Sequence, residues 1–182
     1  MGIIKIEKLP LEGSLLLHSF RISDSRGEFV KQADAALLEE LSFSIRDVFY
    51  SASRKNVVRG LHYQLPHPQT KMVFCPKGAI FDVMVDLRRN SETYGKWHGE
   101  VLSEKNSRAA YVPKGFAHGF ASLEEGSITV YLADEKYEPE NDTGLRYDDA
   151  DVGIGWKIRK GTEVVSKRDR AFPFLKNAEI YD

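Results

Sequence analysis

Two histidines each close a short glycine-containing turn beside a strand-like run: His62 in VVRGLHYQ (57–64) and His118 in PKGFAHGF (113–120). In a small barrel both would point into the mouth. Imidazole is neutral near pH 7 and takes up a proton without large tuning. It works best as a base when a carboxylate on its other nitrogen fixes the tautomer. Arg59 and Lys71 lie near His62 in the chain and are cationic. They suit a phosphate, or the oxyanion formed when a proton leaves a carbon next to a ketone. Tyr131, in SITVYLA (127–133), has the chemistry to return a proton on the opposite face. The other chemistry is metal binding, which in a barrel wants a close histidine pair, a carboxylate and a distant third histidine. Here Gln64 stands two residues after His62, so the available ligands are His62, Gln64 or Gln69, and His118. That set is thin. Each residue also has an ordinary structural use: Arg59 paired with a surface acid, Tyr131 as a wedge in the core.

The remaining histidines are less distinctive. His18 and His98 sit in strand-like runs, and His67 lies in the loop LPHPQ. The single cysteine, Cys75, falls in the apolar run MVFC, where a buried thiol is expected and no intrachain disulfide is possible.

The elements that must carry these residues are short strands. Alternating or apolar runs occur at 14–22, 45–53, 56–64, 71–75, 79–87, 95–103, 108–113, 118–123 and 127–133. Turn signals separate them: PKG at 76–78 and again at 113–115, RRNSETYG at 88–95, EEG at 124–126. One stretch, ADAALLEEL (33–41), has helical spacing. Many evenly spaced short strands imply an all-β sandwich or barrel. No alternation of strands with helices and no glycine-rich phosphate loop appears. The part from about 135 onward is polar and irregular and ends on AFPFL. It reads as a tail wrapping the barrel, so that 1–182 form one domain.

The chain has 182 residues, long enough for a substantial core. With a formal net charge of -1 it has no global field to recruit nucleic acid or an anionic membrane. Charged residues interrupt the apolar ones in MGIIKIEKLPLEGS, unlike a signal peptide, and no run approaches membrane-spanning length. A cytoplasmic protein without nucleic-acid or membrane partners is the expectation.

Several stretches in order along nearly the whole chain carry a resemblance: DSRGEF (24–29), VVRGLHYQ (57–64), PQTKMV (68–73), the run from GAIFDVMVDLR (78–88) to GKW (95–97), PKGFAHGF (113–120), tyrosines at 131 and 137 before Pro139, GLRYDDADVGIGW (144–156) and SKRD (166–169). On these the chain resembles the dTDP-4-dehydrorhamnose 3,5-epimerase family. The resemblance implies a cupin-type β-barrel or jelly roll with short peripheral helices. It implies epimerisation of a nucleotide-diphospho-sugar carrying a 4-keto-6-deoxyhexose, at C3, C5 or both, with no metal and no cofactor. By position, His62 is the base, Asp169 its carboxylate partner and Tyr131 the acid. Lys71 stabilises the enolate, Arg59 and Arg26 hold the diphosphate, and His118 and Asp82 line the site. The resemblance also implies a homodimer with exchanged N-terminal strands. Without it, Asp169 reads as a surface charge in a solvated run.

The chain departs from the family at recognition positions. Glu28 follows Gly27 directly, and Lys31 occupies the usual glutamate position. The glutamine and asparagine that read the thymine edge are here Asp47 and Phe49, and only Tyr137 remains of two later tyrosines, the other being Lys136. The lysine after the acid tyrosine is Leu132. Ionised Asp47 can only accept hydrogen bonds, which suits cytosine's amine better than thymine's carbonyls. A CDP-linked substrate, or another carrier, is therefore an alternative to the dTDP-linked one. Stacking of the base on Phe49 or Tyr137 is the other way the pocket would hold it.

Overall fold

The computed structural model describes residues 4–181. Two antiparallel sheets face one another. One has six strands in the order β1 (Lys5–Lys8), β2 (Leu15–His18), β10 (Arg108–Val112), β7 (Lys71–Lys77), β12 (Ser127–Ala133) and β5 (Asp47–Ser53). The other has five, in the order β13 (Asp142–Gly144), β6 (Val58–Gln64), β11 (Phe116–Ser122), β8 (Ala79–Asp86) and β9 (Trp97–Ser103). A separate ribbon pairs β3 (Phe20–Asp24) with β4 (Gly27–Lys31). This is the cupin-type jelly roll. Among the described residues no helix is long and apolar enough to cross a membrane.

Alternation along each strand decides what faces inward. Val73 and Cys75 of β7, Ile80 and Met84 of β8, and Phe116 and Phe120 of β11 meet between the sheets. Cys75 is 2% exposed, and burial pushes its thiol up to about 12, so it serves as a small apolar filler. The outer face of the six-stranded sheet is covered by α1 (Ala35–Glu40), whose Leu37 packs with Leu17 and Met72. Asp34 caps this helix by accepting the Leu37 N–H at 3.1 Å. The outer face of the five-stranded sheet presents Phe81, Val83 and Val85, and the C-terminal segment buries them with Leu145, Tyr147 and Val152. Covered on both faces, β8 is buried at all eight positions, and apart from Asp82 and Asp86 its residues are apolar.

Two differences from the sequence reading matter for the site. The run 14–22 is not one strand: it breaks at Ser19, and its second half leaves the barrel as β3. The segment after 135 is less irregular than its composition suggests. It contributes β13 to the sheet, forms the helix α2 (Lys167–Ala171), and bridges Val164 to Val57.

The register of β6 is set by close backbone contact. Its pairing with β11 shifts between His118 and Phe120. There Gly60 has φ +122°, and a Cβ on it would lie 2.6 Å from the Gly119 Cα. Only glycine accepts both that dihedral and that contact. The irregularity lets Arg59 and His62 share the interior side while Leu61 joins the outer core. Gly60→Ala should therefore lower stability by about 3 kcal/mol, or roughly 10 °C in melting temperature. Thermal unfolding followed by circular dichroism checks this; an unchanged melting point would show that the two strands can separate at no cost.

Candidate functional site

The barrel is filled with apolar side chains at one end and open at the other, and Tyr131 lies at the boundary, in the core cluster and in the cavity wall. The cavity has a volume of about 420 Å³. Its wall includes Arg59 and His62 of β6, Lys71 of β7, His118 of β11, Tyr131 of β12, Asp47 and Phe49 of β5, and Tyr137 from the following loop. The structure thus brings together eight of the eleven residues singled out in the sequence. Asp169 and Asp82 stand directly behind two of them. Arg26 is the exception. It sits at the turn of the β3–β4 ribbon, 88% exposed at its side chain and paired with Asp24 at 2.7 Å, and does not line this chain's cavity.

His62 and His118 are register partners on adjacent strands, and each has its own carboxylate. His62 Nε2 donates to Asp169 Oδ1 at 3.0 Å. A neutral His62 bonded in this way keeps Nδ1 as its basic nitrogen. The second Asp169 oxygen accepts the Gly60 N–H at 3.2 Å. Burial pushes the Asp169 carboxyl up, but the hydrogen bond and charge of His62, with the Gly60 and Ser166 contacts, bring it below the usual carboxylate value. Asp169 is positioned by α2: Ser166 caps the helix by accepting the Asp169 N–H at 3.0 Å. The ring of Phe172, just beyond α2, meets the His62 ring edge-on with centroids 5.7 Å apart.

The second pair is deeper. His118 Nε2 donates to Asp82 Oδ2 at 2.8 Å, with side chains 4% and 0% exposed. A carboxylate in so buried a strand needs such a partner. Tyr131 packs between two rings, stacked on Phe49 at 4.7 Å and edge-on to His118 at 6.0 Å. Burial, and next the charge of Asp82, push its phenol well above the usual tyrosine value. The hydroxyl therefore stays protonated at neutral pH. Burial lowers the Lys71 ammonium below its usual value, against the attraction of Asp142 and Asp82. Arg59 is held by its Nε donating to Ser53 Oγ at 3.1 Å.

Of the ligand set considered for a metal, His62, Gln69 and His118 line the cavity and Gln64 does not. Gln64 spends its amide on the His67 carbonyl at 3.0 Å and the Glu138 N–H at 2.9 Å, tying loops together. Gln69 lines the cavity but donates to the Glu135 carbonyl at 2.9 Å. Among the described residues no group of three or more His, Cys, Asp or Glu could hold a metal. Conversely, the sequence reading missed Ser51, Asp142 and Arg168. Ser51 and Asp142 line the cavity, and Asp142 accepts from Arg168 at 2.6 Å and from the Tyr137 hydroxyl at 3.0 Å. The inward alternation of β5 was the available signal for Ser51; nothing local marks the other two.

A carboxylate-backed imidazole, a phenol, an arginine and a lysine thus line one cavity of a cupin-type barrel. The chain belongs to the dTDP-4-dehydrorhamnose 3,5-epimerase family, whose sequence model matches residues 8–177. The dTDP-4-dehydrorhamnose 3,5-epimerase of Methanothermobacter thermautotrophicus is 39% identical over 184 residues, covering 100% of both chains. The solved dTDP-6-deoxy-D-glucose-3,5-epimerase of Legionella pneumophila, in complex with dTDP-4-keto-L-rhamnose, superposes with a TM-score of 0.93 at 33% identity, covering 97% of this chain and 95% of that one. A 3′-monoepimerase from Streptomyces bikiniensis, in complex with dTDP-quinovose, gives 0.85 at 29% identity, covering 92% and 86%.

The Asp169 contact makes a pH prediction. Its folded value is lowered, so its contribution to stability is present above the unfolded carboxylate value, about 3.9, and is lost as pH falls through the folded one. Asp169→Asn should cost about 1–3 kcal/mol at pH 7, and the gap to the unchanged protein should shrink near pH 3. Denaturant unfolding at the two pH values measures it; an equal gap at both would mean that the charge contributes nothing.

Proposed function

We propose that the protein epimerises a dTDP-linked 4-keto-6-deoxyhexose at C3 and C5, converting dTDP-4-dehydro-6-deoxyglucose to dTDP-4-dehydrorhamnose without metal or redox cofactor. The observation that carries this is that His62, backed by Asp169, and Tyr131 line one cavity. Each flanking carbon has a proton made acidic by the C4 ketone. His62 takes that proton, and Asp169 stabilises the imidazolium. Lys71 stabilises the oxygen of the resulting enolate. Tyr131 delivers its proton from the other face, so the carbon inverts. Both carbons neighbour the same carbonyl, so one enolate-stabilising site serves both. Arg59 holds the diphosphate, and His118 with Asp82 completes the wall behind Tyr131. Asp47, Phe49 and Tyr137 meet the nucleobase. The protein acts in the cytoplasm under this reading.

The experiment is solvent exchange. The dTDP-linked keto sugar is incubated with the protein in deuterated water, and C3 and C5 are followed by NMR, with the CDP-linked sugar in parallel. Deuterium enters both carbons of the dTDP sugar, and His62→Ala slows it by about two to four orders of magnitude. Exchange at one carbon only would make the protein a single-site epimerase. Faster exchange in the CDP sugar would assign the nucleotide to Asp47. No exchange in either would leave a binding protein.

The reading includes a homodimer with exchanged N-terminal strands. The ribbon exposes Ile22 (51%) and Phe29 (58%), and edge strand β5 exposes Val48 (62%) and Tyr50 (70%), apolar surface that a second copy would cover. In such a dimer Arg26 reaches the partner's diphosphate. Light scattering should give twice the 20.6 kDa chain mass, and Arg26→Ala should raise KM while leaving the dimer intact. A monomer would remove Arg26 from the site.

A further inference from the structure

Tyr131 has a difficulty that its neighbours must solve. When it gives its proton to carbon, it becomes a phenolate in a buried site, near the charge of Asp82. Both conditions make it a reluctant acid. Among the described residues, three buried side-chain oxygens have no hydrogen-bond partner: Ser51 Oγ, Thr129 Oγ1 and Asp82 Oδ1. Orphaned buried oxygens are rare enough to need a reason. All three belong to the surroundings of this phenol. Strand pairing sets Thr129 opposite Ser51 and Tyr131 opposite Phe49, so Ser51 and Tyr131 are diagonal neighbours on the inward face of β5 and β12. Ser51 also lines the cavity, and Thr129 is 0% exposed beside it.

We propose that Ser51 is the positioning residue of the acid: its hydroxyl, free of any other partner and set against Thr129, turns its proton onto the Tyr131 oxygen as that oxygen becomes a phenolate. In the step, the Tyr131 O–H bond breaks and its proton forms the new C–H bond. The electron pair stays on the phenolate oxygen, and Ser51 donates a hydrogen bond to it without transferring its own proton. The Ser51 hydroxyl is near enough for hydrogen bonding to lower the phenol's proton affinity, where burial and then Asp82 raise it, although no fully formed bond joins the two side chains. Asp82 carries no donor when ionised, and Thr129 lies behind, which leaves Ser51 as the hydroxyl on the cavity side. The inference rests on the epimerase reading, with Tyr131 as the acid.

The test separates proton removal from proton delivery. In deuterated water, exchange of substrate protons through His62 and inversion at carbon are measured together, for the unchanged protein, Ser51→Ala, Ser51→Thr and Tyr131→Phe. Ser51→Ala should lower the ratio of inversion to exchange about tenfold, toward Tyr131→Phe, with the affinity for TDP unchanged. Ser51→Thr, which keeps the hydroxyl, should restore the ratio. A purely structural role would lower both rates together. An unchanged ratio in Ser51→Ala, or a Ser51→Thr protein as deficient as Ser51→Ala, overturns the proposal. Absence of exchange in the unchanged protein would instead overturn the epimerase reading, and this one with it.

Discussion

The Asp169 carboxylate is the contact on which the cavity depends. Its two oxygens serve different masters: Oδ1 orients the His62 ring and Oδ2 holds the Gly60 N–H. Gly60 is the point where β6 presses against β11 and its alternation resets. One buried charge therefore fixes both the imidazole and the strand irregularity that turns it inward. A charge this far from water is stable only with such partners. The same contact anchors the C-terminal segment, which returns alongside β6 through Val58 N–H to the Val164 carbonyl at 3.0 Å. The tail is thereby a wall of the cavity as well as a cover for the outer core.

Burial and pairing sort the ionisable groups around the cavity by protonation state. The same desolvation raises Tyr131 and lowers Lys71, while ion pairing keeps Asp169 charged. A phenol that stays protonated can act as an acid. A carboxylate that stays ionised can support an imidazolium. Neither would hold these states as firmly on the surface. The apolar filling at the closed end, with Phe120 and Met84 almost fully buried, is what supplies the low-dielectric setting.

The barrel was legible because period-two alternation and turn residues are local signals. The nine strand-like runs coincide with ten of the strands, and the helical stretch with α1. The break at Ser19 was not legible, because no glycine or proline interrupts the run and only the partner strand differs. β13 is three residues long and owes its existence to β6, so no local pattern announces it. Asp169 shows the same limit more sharply. SKRDRA has the composition of an exposed turn, yet its carboxylate is 7% exposed because His62, 107 positions away, draws it in. Only the resemblance to the family points to it. The resemblance was equally silent on Ser51, whose orphaned oxygen appears only once Thr129 is set opposite.

The departures from the family at Asp47 and Phe49 become intelligible from where they sit. Both lie on β5, the edge strand, while His62, His118 and Lys71 lie on strands paired on both sides. An edge strand has one neighbour to satisfy, so its side chains can change without disturbing the ladder that aligns His62 with His118. Asp47 has a structural task of its own: its Oδ2 accepts the Tyr137 N–H at 2.8 Å and so fixes the loop that carries Tyr137. An amide at 47 could hold that N–H as well, and would add a donor that a carboxylate lacks. Phe49 in turn gives up hydrogen bonding and stacks on Tyr131. The stack ties edge strand β5 to the orientation of the Tyr131 ring, so in this chain a change at 49 reaches the cavity through Tyr131.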